Sequence, residues 1–250
     1  MNDAAFHPLH EAFSAAASWL DGEPAAEPVS TNADRLAAMF GLSTFERNIL
    51  LITAYVALEA KGGEQLAKLN GSPERRQLTV GTLLSTVPSA NWSALSADSG
   101  LRKHRLVNLS QGPSLAGLQI SIAESSLFFL LGAPALSSSL ADYISVQDSP
   151  PLLSPSRREL AELILARSRA DLPSLLMLTG TDAEGKVQAM KTVCDRTGAK
   201  LCLLHASLIP TSVQELLPFA RELQRDLTMV NGFLLLRIEG QAEEASVRLL

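Results

Sequence analysis

Cysteine is nearly absent, with only Cys194 and Cys202 in the chain. Each falls in an apolar-periodic segment, so both are read as buried thiols of a reducing compartment rather than as a disulfide. The two make no C-x-x-C pair, and His7, His10, His104 and His205 show no ligand spacing, so no metal site is expected. No G-x-S-x-G elbow and no Ser/His/Asp pattern occurs, and no catalytic residue is assigned. No apolar run reaches the roughly 18 residues of a membrane span. The opening MNDAAFHPLHEAF lacks a charged region followed by an apolar one, so no secretory signal is read and the expected location is cytoplasmic. Positive charge is also in short supply. A net charge of −5 does not suit a chain that coats nucleic acid or an acidic membrane. Internal repeats and low-complexity tracts are missing.

What is present is apolar. The 46% hydrophobic fraction allows a proper core, and 250 residues suggest one or two domains. The most informative stretch runs from Leu175 to Cys194: LLML, then TGTDAEGK, then VQAMKTVC. Its order is strand, loop, helix. Gly180-x4-Gly185-Lys186 matches the first seven positions of the phosphate-loop pattern G-x-x-x-x-G-K-[ST]. Such a loop aims backbone N–H groups and a helix N-terminus at phosphates, and its lysine reaches the β/γ-phosphates. Val187 stands where Ser or Thr would ligate Mg²⁺. Asp182 and Glu184 would sit beside a polyanion and repel it. The plain alternative is a βα turn in an α/β domain.

From the N-terminus, Pro8–Leu20 reads as an amphipathic helix and Gly22–Thr31 as a Pro-containing linker. Asn32 can cap a helix ending at Gly41. Ser43 and Glu46 form a capping box for a strongly apolar helix, which Gly62-Gly63 is expected to break. A helical pattern spans Leu78–Val87, and Trp92 with Leu95 marks another helical turn, with Trp19 and Trp92 taken as packing residues. Two strand-like runs, Leu101–Leu109 and Leu115–Ile122, flank Gln111-Gly112-Pro113 as a hairpin. Helices followed by a hairpin is the order of a winged helix. A helix over Leu127–Leu131 closes this region, and Ser137–Val146 is read as one more. Asp148–Ser156 is the clearest linker. Beyond it strands at Leu175–Leu178, Leu201–Leu204 and Phe233–Leu236 alternate with helices. Their continuous apolar character predicts a parallel sheet covered on both faces.

Two further constellations bear on function. The third strand reads FLLLRIEG, with Arg237 where a metal-holding acid would be expected and Glu239 two positions on. Glu239 could be the acid at the strand end, or a plain surface carboxylate. Arg102, Lys103, His104 and Arg105 form the only compact basic cluster. On a strand, alternate members would share a face. A winged-helix hairpin can touch DNA phosphates, but the helix before it, Thr79–Val87, has no Arg or Lys to read bases. A solvated strand or a protein contact is the alternative.

The segments Leu36–Glu59, Thr79–Leu109 and Leu118–Leu136 resemble the N-terminal winged-helix region of a bacterial AAA+ ATPase family. Its members include ATPases encoded with extracellular contractile injection systems. The family pattern FGLS-x-FER is matched by Phe40–Arg47, W-x-AL by Trp92–Leu95 and PLRR-x-RL by Leu101–Leu106. In that family a degenerate first AAA module often precedes an intact one, and the segment from Leu175 resembles the degenerate module. The resemblance places Gly180, Gly185 and Lys186 on the nucleotide loop. Only Gly240–Leu250 follow the third strand, so the sensor strand, arginine finger and lid of a complete module are not expected here.

The expected fold is therefore α+β then α/β: a mainly helical winged-helix domain over residues 31–147, after an N-terminal helix and linker at 1–30, and an incomplete AAA+-like parallel-sheet P-loop domain at 156–250. ATP binding is expected to be weak, Mg²⁺ is not expected, and protein partners or ring subunits are expected in preference to nucleic acid or membrane. Two other readings stay open. One is a nucleotide-hydrolysing module active in an oligomer, and the other is a winged-helix nucleic-acid binder.

Overall fold

The computed structural model describes residues 7–110, 112, 114–148, 154–168 and 175–238. The chain divides into two compact units, residues 1–137 and 138–250.

The first unit is built around helix α3, Thr44–Leu58. Its start is set by the Ser43–Glu46 capping box: the Glu46 amide donates to Ser43 Oγ at 3.3 Å and the Ser43 amide donates to Glu46 Oε2 at 2.9 Å. Ile49, Leu50, Leu51 and Ile52 have no exposed surface, so four successive residues face protein on every side. The neighbours that bury α3 include α1, His7–Asp21, and α2, Thr31–Phe40. From α1, Leu9, Phe13, Trp19 and Leu20 enter the core, and the Phe13 ring meets Tyr55 edge-on at 5.6 Å. Ser30, not Asn32, caps α2, its Oγ accepting from the Ala33 amide. Asn32 lies inside the helix and donates to the Leu130 carbonyl. Gly41 ends α2 in the left-handed conformation at φ +63°.

The Pro-containing stretch before α2 is held, not loose. The Arg47 guanidinium donates to the Pro28 carbonyl at 2.6 Å and pairs with Asp34 at 2.6 Å. The Gly62-Gly63 pair does not break the helix. The break falls at Glu59, and both glycines lie inside α4, Ala60–Leu69. A Cβ on Gly62 would stand 3.1 Å from Tyr55 Cε1 and Val56 Cα, so glycine there permits close approach of α4 to α3.

The winged part follows. Thr79 bridges Gln119, then caps α5, Val80–Thr86. After a 3₁₀ turn at Trp92–Leu95 comes α6, Gly100–Lys103, four residues long. Strand β1, Val107–Leu109, pairs antiparallel with β2, Ile120–Ile122, in the register Val107↔Ile122 and Leu109↔Ile120. Helix α7, Glu124–Leu130, closes the unit. The hairpin is present, but its strands are shorter than the apolar runs suggest. Residues 100–103 are helical because Ser99 caps them and Leu101 must be buried, and Arg105 at φ +52° turns the chain into β1. Leu115–Gly117 is a 3₁₀ turn rather than strand.

The second unit differs from the expected parallel sheet covered on both faces. Its three strands run in the order β3-β4-β5. Strand β3, Ile144–Val146, lies in a stretch read as helical. Only α8, Ser138–Ala141, is helix there. β3 pairs antiparallel with β4, Lys200–His205, and β4 pairs parallel with β5, Gly232–Arg237, so the sheet is mixed. The expected strand at Leu175–Leu178 is not formed. Residues 175–179 have no regular structure, and Leu175 is 86% exposed. Apolar composition signals burial, but a strand also needs a hydrogen-bonding neighbour, and this segment has none among the described residues. Helix α9, Pro155–Ser168, packs on α10, Ala183–Thr197, and α10 packs on β4. Their shared core contains Ala161, Leu165, Val187, Met190, Val193 and Leu201. Helix α11, Val213–Val230, is capped by Ser212 with Glu215, as its sequence predicts, and lies against β5.

Candidate functional site

Two regions drew functional expectations, and each is built from local interactions. The first is the loop from Gly180 to Lys186. Gly180 sits at φ +112°, a region open to glycine alone without strain. Asp182 caps α10: its Oδ1 accepts from the Gly185 amide at 2.8 Å. A Cβ on Gly185 would fall 2.0 Å from Asp182 Oδ2, so glycine is required for the carboxylate to fold over the helix start. Arg157 of α9 approaches the same carboxylate, with Nη2 3.5 Å from Oδ2. The Lys186 ammonium donates to the Gly180 carbonyl across the loop. Gly180, Gly185 and Lys186 are thus brought together, but around a carboxylate of the chain itself. In the Gly180–Lys186 loop the α10 N-terminus, which favours negative charge, already has one.

Val187 explains itself in the same geometry. Its side chain is buried in the α9–α10 core, among Ala161, Leu165, Met190 and Val193. Arg237 ends β5 opposite His205 in the β4–β5 register, a cation where a metal-holding acid would be needed. Glu239 lies outside the described residues. No cluster of three or more metal-ligating side chains occurs among the described residues. A cavity of about 320 Å³ adjoins the loop, lined mainly by Leu160, Leu163, Leu176 and Met177, with Thr179 and Lys186 as its polar lining residues.

The second region is the segment between α5 and β1. The four basic residues do not lie on a strand with alternating faces. Arg102 and Lys103 end α6, His104 caps it, and Arg105 forms the turn. Arg102 Nη1 donates to the Leu95 carbonyl at 3.1 Å, tying α6 to the 3₁₀ turn. The His104 ring lies 4.9 Å from the Phe40 ring, centroid to centroid. Burial pushes its pKa below the usual 6.5, and the Lys103 charge adds to this. Trp92 is not a packing residue: it is 53% exposed, while Ala94 and Leu95 of the same turn are buried. Position in sequence gave no cue to this, because an indole opening a capped 3₁₀ turn can face either way. The buried thiols of Cys194 and Cys202 agree with expectation, and burial raises both, Cys194 to about 11.

The geometry agrees with a comparison to known families. Residues 25–144 match the family model described as "Winged helix domain, variant". A winged-helix domain therefore occupies that span. Neither a curated protein nor a solved structure matches the chain. No helix among the described residues is long and apolar enough to cross a membrane.

Proposed function

We propose that this chain is an N-terminal scaffold and interaction region of an AAA+-type ATPase. In this reading the winged-helix domain contacts protein, and the loop at Gly180–Lys186 serves architecture rather than hydrolysis. The likeness of Phe40–Arg47, Trp92–Leu95 and Leu101–Leu106 to that family supports the context. The observation that carries the reading is the Asp182 carboxylate on the Gly185 amide, with Lys186 turned onto the Gly180 carbonyl. A phosphate would have to displace the carboxylate and would meet its charge. Protein contact is favoured at the winged helix by the exposed Trp92, which opens the 3₁₀ turn that Arg102 ties to α6 through the Leu95 carbonyl. Trp and Arg dominate binding energy at protein interfaces.

The test is titration of the full chain with a fluorescent ATP analogue, with and without Mg²⁺, alongside a turnover assay. We expect no Mg²⁺-dependent binding and no turnover. Tight Mg²⁺-dependent binding that Lys186→Met weakens would favour a hydrolytic module instead, as would turnover that Lys186→Ala abolishes.

A further inference from the structure

We infer that the 3₁₀ turn bearing Trp92, with the cations of α6 tied to it, docks an acidic polypeptide segment that carries an apolar anchor residue. The inference rests on the reading that the winged helix contacts protein, and it names the chemistry of what is contacted.

The turn holds an indole in water on a fixed backbone. Of the two tryptophans, Trp19 is 2% exposed and Trp92 53%. Residues 88–93 are exposed throughout, while Ala94 and Leu95 are buried and anchor the turn. Asn91 Oδ1 accepts from the Ser93 amide at 3.0 Å and caps it. Ser89 leads in at φ +60°, a left-handed conformation that a non-glycine residue keeps only where its surroundings impose it. From the far side, Arg102 Nη1 donates to the Leu95 carbonyl at 3.1 Å. An aromatic side chain on a backbone fixed in advance loses little freedom on binding.

Charge selects the partner. From Gln77 to Ala123 the chain has three cations, Arg102, Lys103 and Arg105, and one carboxylate, Asp98. Arg102 and Lys103 are exposed. Trp92 and Leu95 lie one 3₁₀ turn apart, about 6 Å of rise. A segment that covers the indole therefore comes within reach of the guanidinium at the Leu95 carbonyl. Glu46 of α3 also approaches α6, with Oε1 3.5 Å from where a Cβ on Gly100 would stand. It is buried, and its Oε2 already accepts from the Ser43 amide and hydroxyl. The exposed charge here is thus mainly positive on a chain of net −5, which suits an acidic partner. The indole suits an apolar anchor within that partner.

Two other occupants fit less well. A nucleic-acid strand is held by a row of cations along its backbone, and two exposed cations do not make one. A second copy joined through this patch at a two-fold axis would set Arg102 and Lys103 against themselves.

The experiment selects random dodecapeptides from a display library on the immobilised full chain. We expect the selected peptides to be rich in Asp and Glu around a Leu, Ile or Phe. Each is then titrated into the full chain, with acrylamide quenching of tryptophan emission as the readout. Because Trp19 is buried, quenching reports Trp92, and we expect bound peptide to reduce it. Trp92→Ala and Lys103→Glu alter exposed side chains, and we expect each to weaken binding at least tenfold with an unchanged circular dichroism spectrum. Selection of no peptide overturns the inference. So does single-stranded oligothymidylate that displaces the peptide, which assigns the patch to nucleic acid. Self-association that Trp92→Ala abolishes assigns it to a second copy and overturns the inference too. Selected peptides without acidic excess that still require Trp92 overturn it and leave protein contact standing, whereas binding that Trp92→Ala does not move overturns both. No arm involves nucleotide, so the outcome is separable from that of the nucleotide titration.

Discussion

At the scale of single residues, the winged-helix unit is held by polar groups whose partners lie far off in sequence. Arg47 is the clearest. One buried guanidinium binds Asp34, Asn48 and the Pro28 carbonyl, fixing the entry to α2 against α3. Gln65 acts similarly, accepting from the Tyr55 hydroxyl at 2.9 Å and donating to the Ala17 carbonyl at 3.1 Å, which ties α1, α3 and α4 together. His104 has a measurable consequence. Burial against Phe40 disfavours its charged form, so its folded pKa lies below 6.5 while the unfolded value remains there. The unfolded chain then binds more protons between the two values, so stability rises with pH across that window and is lost as pH falls through it. Above 6.5 the contribution is constant. We expect chemical denaturation midpoints of the chain to drop as pH is lowered from about 7 to 5, and His104→Phe to remove that part of the slope. A slope unchanged by the substitution would contradict this account.

At the scale of elements, the segment before the hairpin is the informative one. A helix that reads bases must lie in a groove about 12 Å wide and offer several side chains along it. α6 has four residues and a length of about 6 Å. Leu101 is buried, and Arg102 donates to the Leu95 carbonyl. That leaves Lys103 as the exposed cation of α6 with no described hydrogen bond. We therefore expect no mobility shift of duplex DNA at physiological salt. A salt-dependent shift abolished by replacing Arg102, Lys103 and Arg105 together would restore the nucleic-acid reading. The glycines of α4 teach a related lesson. A Gly-Gly pair reads as a helix break, yet here it marks close packing against Tyr55 and Val56, and the break falls at Glu59.

At the scale of the whole molecule, the division into units assigns a short stretch that sequence leaves ambiguous. Residues 138–146 belong to the C-terminal unit, because β3 completes one side of β4 through Ile144↔Leu204, Ser145↔Leu203 and Val146↔Cys202. The family match runs to residue 144. A fragment beginning at Ser138 keeps β3, whereas one beginning at Asp148 removes the strand that pairs with β4. We expect the 148–250 fragment to unfold at a lower urea concentration than 138–250. Equal midpoints would show that β3 adds nothing to the unit. Much of the molecule was legible in the chain alone: the caps of α3 and α11, the hairpin after helices, β4 and β5, the buried thiols, and the meeting of Gly180, Gly185 and Lys186 in one loop. Those features depend on periodicity, capping chemistry and spacing, which act over a few residues. The rest depended on partners distant in sequence. Whether Leu175–Leu178 becomes a strand, whether Trp92 faces in or out, which group sits on the α10 N-terminus, and where β3 pairs are decided by neighbours. Backbone pairing and burial are properties of two surfaces brought together, and no local stretch contains both.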